Sequence, residues 1–218
     1  SVRHLIVHDL LHGATQNVAA DGRLADILAR NDAQIEAFEP EPLPFEHPLW
    51  IVYSSGTTGL PKPIVHSHGG TVIVALALKS LHNDVGCSYH PNSWGERFHW
   101  YSTTGWVMWN WLAATLAQGA SALLYDGWPF GEMGRALFNF AERERATHFG
   151  VSAKYIDAVK KAGLTPIRTH DLASLRMVLS TGSPLAPESF DYVYQCVKAD
   201  VHLASISGGT DIMSCFAL

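Results

Sequence analysis

Short apolar runs alternate with helix-length segments along most of this 218-residue chain, and this alternation constrains the fold more than any other feature. Apolar spacing predicts strands at residues 49–53, 63–66, 98–101, 120–125, 148–151, 175–180 and 201–206. It predicts helices at residues 70–81, 106–116, 132–142, 153–161 and 187–197. The repeated strand–helix–strand order predicts an α/β fold, with mostly parallel sheets flanked by helices.

The N-terminal region has a weaker pattern. A short strand is predicted at residues 3–7 and a helix at residues 23–30. Four prolines among residues 39–48 then predict an extended connector between this region and the alternating part of the chain.

Composition excludes several classes of protein. Hydrophobic residues make up 47% and charged residues 16%, so the chain has the makings of a packed core and not of a disordered segment. The net charge of −5 argues against a nucleic-acid-binding surface, and no apolar run is long enough to predict a transmembrane segment. The three cysteines (Cys87, Cys196 and Cys215) lack metal-ligand spacing, and their odd number argues against a disulfide framework, which favours a reducing, cytoplasmic location.

Three polar, glycine-rich segments directly follow predicted strands. We name them by their sequences: the SSGTTGLPK segment (residues 54–62), the TGSPL segment (residues 181–185) and the SGGTD segment (residues 207–211). Parallel α/β sheets bind ligands beyond the carboxyl ends of their strands. We therefore expect these three segments to form one ligand site.

The SSGTTGLPK segment has the chemistry of a polyphosphate-binding loop. Gly56 and Gly59 let the backbone approach a ligand, and Lys62 supplies a positive charge. Its further donors are hydroxyl groups, those of Ser54, Ser55, Thr57 and Thr58. The Walker loop of P-loop NTPases does not fit, because the two glycines are too close and Lys62 follows Pro61. A flexible hydroxyl-rich turn is the structural alternative.

The longer stretch IVYSSGTTGLPK (residues 51–62) resembles the phosphate-loop signature of the adenylate-forming, AMP-binding enzymes. This resemblance implies an acid–thiol ligase. Such an enzyme joins a carboxylate to ATP, releases pyrophosphate and passes the acyl group from the adenylate to coenzyme A. It also implies Mg²⁺ as a cofactor.

The resemblance assigns roles to individual residues. The SSGTTGLPK segment, including Lys62, would hold the β- and γ-phosphates. The TGSPL segment is similar to the adenine-contacting loop of the family, so Gly182, Ser183 and Pro184 would bind the nucleotide. In the SGGTD segment, Gly208 and Gly209 would adjoin the nucleotide and Thr210 would touch the α-phosphate. Asp211 would bind Mg²⁺ in place of the family's glutamate. The implied catalytic residues are Lys62, Thr210 and Asp211.

The acid is implied by two further stretches. Residues 101–112 (YSTTGWVMWNWL) and 205–216 (SISGGTDIMSCF) resemble the acetoacetate-activating members of the family. Family members that activate acetate or propionate carry a bulky aromatic residue just before the equivalent of Thr210, where this chain has Ser207, Gly208 and Gly209. Small residues leave room for a longer acid. Trp106 is a candidate wall of the acyl pocket, as are Trp109 and Trp111. Another short carboxylic acid remains an alternative.

The twelve histidines raise the question of a metal site. His4, His8 and His12 have helical spacing, but no cysteine or carboxylate nearby completes a zinc site. His66 and His68 follow the SSGTTGLPK segment, where a structural or supporting role is favoured. His90 and His99 are candidates for the acyl site, and Cys215 is expected to be buried and inert.

The resemblance also implies where the chain stands in a larger protein. Residues 1–218 would be part of an AMP-binding domain, and the C-terminal domain with the catalytic lysine would be absent. On this interpretation the chain is a fragment that makes no acyl-CoA alone. The alternative from a different class is a noncatalytic nucleotide-binding or scaffolding chain.

Overall fold

The computed structural model describes residues 6–7, 19, 21–30, 37–54, 59–86 and 95–218. The chain divides into two compact units, residues 1–42 and 43–218. In the first unit, strand β1 (Ile6–Val7) pairs in parallel with β2 (Gly22–Arg23), which leads into helix α1 (Leu24–Leu28). The predicted strand and helix of this region are therefore present but shorter. Residues 3–5 of that strand lie outside the described residues.

The second unit opens with a β-hairpin. Strand β3 (Pro48–Ser54) pairs antiparallel with β4 (Lys62–Ser67), and Trp50 lies opposite His66 in this register. Both strands were predicted. Periodicity alone did not indicate that they pair with each other or that they form a sheet separate from the parallel one. Helix α2 (His68–Ala77) follows, with Ser67 accepting a hydrogen bond from the Gly70 N–H as its N-cap. The predicted helix then continues as a π-helical turn, Leu78–His82.

A five-stranded parallel sheet forms the centre of this unit. Its strands are β5 (Arg97–Trp100), β6 (Ser121–Leu123), β7 (His148–Ser152), β8 (Met177–Thr181) and β9 (His202–Ser205), in the order β6-β5-β7-β8-β9. Its helices are α3 (Val107–Ala114), α4 (Ala136–Arg143), α5 (Ala153–Lys161), α6 (Pro166–Thr169) and α7 (Pro187–Tyr192). Short 3₁₀ turns lie at Thr115–Gln118 and Glu132–Gly134, and a π turn at Val193–Val197. This confirms the α/β prediction.

Both faces of the parallel sheet are buried, which is why its strands read as continuous apolar runs. Phe149 and Val178 face one apolar cluster, which includes residues of α4 and α5. Phe98 and Leu179 face a second cluster, which includes Trp111 of α3. The predicted helix at residues 132–142 is interrupted because its first residues have left-handed backbone conformations, and α4 begins at Ala136.

A second hairpin follows the sheet. Strand β10 (Ser207–Gly209) pairs antiparallel with β11 (Ser214–Ala217), and the register shifts between Ser207 and Gly208. The sequence predicted only a loop here, because one serine and two glycines show no strand periodicity. Within the described part of the chain, no helix has the length and apolar character needed to cross a membrane.

Candidate nucleotide and acyl site

A cavity of about 380 Å³ opens beyond the carboxyl ends of the parallel strands β8 and β9. The TGSPL segment leaves β8 at this edge, and the SGGTD segment follows β9 after the buried Ile206. The third wall comes from the start of α3. The lining residues are Trp106, Val107, Met108, Trp111, Thr181, Gly182, Ser183, Pro184, Ser205, Ile206, Ser207, Gly208, Gly209, Thr210 and Ser214. Two segments that lie more than twenty residues apart thus share one cavity, as the topology of such sheets requires.

Two hydrogen bonds hold the TGSPL segment to the residues that directly precede the SGGTD segment. The Thr181 hydroxyl donates to the carbonyl of Ile206 at 3.0 Å, and the Leu185 N–H donates to the Ser205 hydroxyl at 3.4 Å. Gly182 has φ +94°, a left-handed conformation that a side chain would strain, and this lets the chain turn sharply after β8. These bonds fix the position of the TGSPL segment relative to the end of β9 and to Ile206, the residue before the SGGTD segment.

The walls of the cavity differ in chemistry. The α3 side is apolar and aromatic, with Trp106, Met108 and Trp111. The TGSPL and SGGTD segments contribute hydroxyl groups and glycine backbone, and none of the described residues that line the cavity has a charged side chain. A volume of this size, with an apolar wall and a few convergent polar groups, is typical of a small-molecule site. Trp109 is not among the lining residues and packs against the second apolar cluster instead.

The SGGTD segment is shaped by contacts within its own hairpin. A Cβ on Gly208 would lie 2.2 Å from the carbonyl oxygen of Ser214, because β11 passes directly against it. A Cβ on Gly209 would lie 2.2 Å from Oδ1 of Asp211. The contact at Gly208 is with backbone, so Gly208 is small for a structural reason, whereas the Asp211 side chain can move away from a Cβ on Gly209.

Asp211 and Lys62 are the charged residues that the sequence assigned to the site. Asp211 is exposed, and it directly follows the cavity-lining Thr210. Mg²⁺ is commonly held by one or two carboxylates together with substrate phosphates, so a single exposed carboxylate beside this cavity fits the ion. Among the described residues, no cluster of three or more His, Cys, Asp or Glu side chains could hold a metal by itself.

The SSGTTGLPK segment is described at its two ends. Ser54 ends β3 and is half-buried, and Lys62 begins β4 directly opposite it in the hairpin register. Gly59 has φ +86°, with open space around it. Ser55, Gly56, Thr57 and Thr58 lie outside the described residues. Neither Ser54 nor Lys62 lines the cavity, but β4 reaches it through His66, whose Nε2 lies 3.0 Å from the Thr210 carbonyl oxygen.

The remaining histidines of the sequence analysis have other surroundings. His68 Nδ1 lies 2.9 Å from the His47 carbonyl oxygen, and the two imidazole rings meet edge to face. His99 does not line the cavity. It is buried in the core against Phe140 and Phe149, and burial lowers its pKa to about 4. The prediction that His99 belongs to the acyl site was therefore wrong. His4, His8, His12 and His90 lie outside the described residues.

Some cavity residues were missed by the sequence reasoning. Met108 and Val107 line the cavity beside Trp111, and a signal for them existed, since positions 107, 108 and 111 fall on one face of a helix. Ser205 and Ser214 carried no such signal. Cys215 pairs with Gly208 across the hairpin, and its half-buried environment raises the pKa of its thiol. This favours the protonated, unreactive form, as the sequence analysis expected.

Comparison with known proteins agrees with this architecture. Residues 4–217 match the family model described as AMP-binding enzyme, and the chain belongs to that family. It is similar to an acetoacetyl-coenzyme A synthetase of Rhizobium meliloti (strain 1021), with 56% identity over 195 residues, which cover 89% of this chain and 29% of the relative. It is 40% identical to a malonamoyl-CoA synthetase of Penicillium aethiopicum over 191 residues, 81% of this chain and 25% of that protein.

A solved structure is similar over nearly the whole chain. The acetoacetyl-CoA synthetase from Streptomyces lividans matches with a TM-score of 0.82 and 45% identity, covering 99% of this chain and 32% of that protein. The chain thus spans less than a third of the length of each of these three proteins.

Proposed function

We propose that this chain is the nucleotide- and acid-binding part of an ATP-dependent acid–thiol ligase that activates acetoacetate and passes it to coenzyme A. One observation carries the proposal: the TGSPL and SGGTD segments share a cavity with an aromatic wall. The hydroxyl-lined side suits a nucleotide. The wall of Trp106 and Trp111 suits the short carbon chain of an acid. The cytoplasmic location stays a prediction.

The proposed chemistry needs no nucleophile from the protein. The carboxylate oxygen of the acid attacks the α-phosphorus of ATP, and the bond to the pyrophosphate oxygen breaks. Thr210 orients the α-phosphate, while the SSGTTGLPK segment with Lys62 binds the departing pyrophosphate. Asp211 would hold Mg²⁺, which neutralises phosphate charge when it is bound. Gly182, Ser183 and Pro184 bind the adenine side, and Ser207, Gly208 and Gly209 lie between nucleotide and acid.

The selection of the acid rests on polar groups in an otherwise apolar pocket. A site that donates hydrogen bonds to a substrate carbonyl discriminates strongly against the analogue without it, because its donors are then left unpaired. The Ser207 hydroxyl and the glycine amide groups of the SGGTD segment are such donors. The similarity to a malonamoyl-CoA synthetase supports malonamate as a second candidate acid. That acid also carries a carbonyl at carbon 3.

The first experiment measures binding of MgATP to this chain by titration calorimetry. We expect saturable binding that weakens at least about tenfold in Lys62→Ala and in Asp211→Asn, since each removes a charge-assisted contact. Lys154→Ala is the matched control, because Lys154 is an exposed lysine of α5 far along the chain from the three segments. No binding by the unmodified chain, or equal loss in the control, would contradict the nucleotide site.

A second experiment separates the acids and the reaction. With MgATP present, acetoacetate should quench the fluorescence of the cavity tryptophans more strongly than butyrate, which lacks the keto oxygen. Exchange of labelled pyrophosphate into ATP then tests adenylate formation. Nucleotide binding without acid-dependent exchange would favour the noncatalytic alternative for this chain. Quenching by malonamate but not acetoacetate would reassign the acid.

A further inference from the structure

One hydrogen bond joins strand β4, near the start of the unit formed by residues 43–218, to the SGGTD segment near its end. His66 Nε2 lies 3.0 Å from the carbonyl oxygen of Thr210, 144 residues further along the chain. A carbonyl oxygen only accepts, so Nε2 is the donor and carries the hydrogen. The contact is partly buried, which shields it from competition with water.

His66 stands on the same strand face as Lys62. Side chains alternate along a strand, so Lys62, Ile64 and His66 share one face of β4. Across the hairpin, Trp50 lies opposite His66 and Val52 opposite Ile64, and both pack against the second apolar cluster. This face of the hairpin is thus fixed to the core. Strand β4 forms a rigid connection from Lys62 at one end to the SGGTD segment at the other.

The bond fixes the peptide group that carries both functional side chains of the SGGTD segment. The Thr210 carbonyl and the Asp211 N–H belong to one planar peptide unit, so holding the oxygen sets the direction of both. The Thr210 side chain is attached to the residue before this peptide group, and the Asp211 side chain to the residue after it. Gly208 and Gly209 are paired with β11, whereas Thr210 and Asp211 follow in the turn of the hairpin, beyond that pairing. The bond from His66 is therefore a contact from outside the hairpin that holds this peptide.

We propose that His66 is a positioning residue for the proposed nucleotide site: its Nε2–H orients the Thr210–Asp211 peptide relative to β4 and Lys62. The expected effect on nucleotide binding rests on the proposed function. The orientation of the peptide by His66 is independent of that function. His66 touches neither substrate nor reacting atoms, so it acts only through the SGGTD segment.

The test uses three variants of the full 218-residue chain. His66→Leu removes the donor. His66→Gln keeps an N–H₂ group near the position of Nε2, whereas the shorter His66→Asn places its amide near Nδ1 and does not reach. His202→Leu is the matched control, because it removes an exposed imidazole on β9 that does not line the cavity.

The first readout is hydrogen–deuterium exchange of the peptides that cover residues 207–213, without any ligand. We expect faster exchange in His66→Leu and His66→Asn by about three- to tenfold, the value of one net hydrogen bond, and recovery in His66→Gln. The control should exchange like the unmodified chain. The second readout is the dissociation constant for MgATP, which should rise by a similar factor in the same two variants.

The outcomes separate this inference from the proposed function. If the unmodified chain binds no MgATP, the nucleotide site fails, and exchange in residues 207–213 still decides whether His66 orients the peptide. Unchanged exchange in His66→Leu overturns the inference even where MgATP binds. The inference is also overturned if His66→Gln behaves like His66→Leu, because the imidazole would then act by filling space and not as a donor.

Discussion

Acidification should unfold this chain through two buried histidines of the central sheet. His99 on β5 and His148 on β7 are each 1% exposed. His148 donates from Nε2 to the Asn83 carbonyl oxygen at 2.6 Å, and its Nδ1 lies 2.8 Å from the Thr147 hydroxyl. The neutral ring thus has partners at both nitrogens. Burial lowers the pKa of His148 to about 3 and that of His99 to about 4.

The sign of the effect follows from these values. In the unfolded chain a histidine has a pKa near 6.5, so between that value and the folded-state pKa only the unfolded chain takes up a proton. The stability from these rings is complete above pH 6.5 and declines as the pH falls. Each ring changes the free energy of unfolding by about 1.4 kcal/mol per pH unit in this window. From about pH 7.5 to about pH 5, the loss is about 2 kcal/mol per ring, or about 4 kcal/mol for both.

The assay is urea unfolding at several pH values, followed by tryptophan fluorescence. His99→Asn keeps a donor near Nδ1, which faces the Leu123 carbonyl oxygen, and His148→Gln keeps one near Nε2. Each variant should lose about 2 kcal/mol of the pH-dependent change, whatever its stability at pH 7.5. The exposed His202→Gln serves as the control.

Two other titratable side chains, Lys79 and Asp157, also have shifted pKa values that make stability depend on pH. Burial holds the pKa of Lys79 well below its usual range, so Lys79 also makes stability fall with falling pH. The hydrogen bond from Ser189 lowers the pKa of Asp157 from 3.8, and its contribution is lost only below the pH range of the assay. Differences in slope between variants, and not the total slope, therefore measure the two rings. A double variant with the slope of the unmodified chain would refute the reasoning.

Three further predictions concern packing. Lys79→Met should raise the free energy of unfolding by about 1 kcal/mol or more, because the buried Nζ finds no hydrogen-bond partner among the described residues and contacts only aromatic rings such as that of Phe98. Gly150→Ala should lower it by about 2 kcal/mol, since the new Cβ would lie 2.4 Å from the Trp100 indole. Gly208→Ala should abolish MgATP binding, because β10 and β11 must separate to admit a Cβ beside the Ser214 carbonyl.

Each has a matched control and a contradicting result. Lys154→Met exchanges an exposed lysine, and a similar gain there would show that Lys79→Met does not act through burial. Gly105→Ala adds a Cβ with nothing within 4 Å, so an equal loss would remove the clash with Trp100 as the cause for Gly150→Ala. Normal binding of MgATP by Gly208→Ala would contradict the third prediction, because the hairpin would then admit the Cβ without disturbing the site.

The sequence was informative wherever the apolar pattern of an element was local and regular. Helix α5 spans Ala153–Lys161, as predicted, because apolar residues on one face and lysines on the other define it completely. The shared edge of β8 and β9 followed from strand order and the rule for parallel sheets. That rule let the sequence predict that the TGSPL and SGGTD segments meet, although it gave no distances.

Features that depend on which segments contact each other were not predictable. No local signal makes β3 pair antiparallel with β4 or makes Ser207–Gly209 a strand, because pairing depends on a partner and not on periodicity. The π-helical turn at Leu78–His82 likewise departs from the regular helix that the apolar spacing indicated. The bond from His66 to Thr210 crosses 144 residues, and either residue alone looks like an ordinary polar side chain.

The hairpin geometry changes how the small residues before Thr210 bear on the choice of acid. A Cβ on Gly208 would lie 2.2 Å from the Ser214 carbonyl oxygen, so a larger residue there requires β11 to move. Its smallness is therefore weak evidence for a longer acyl chain. Ser207 is exposed and lines the cavity, and Trp106 and Trp111 stand on the facing wall. In the proposed site, the length of the acyl pocket would be set across that gap. We therefore expect substitutions at Ser207, Trp106 and Trp111 to change the choice of acid more than substitutions at Gly208 do.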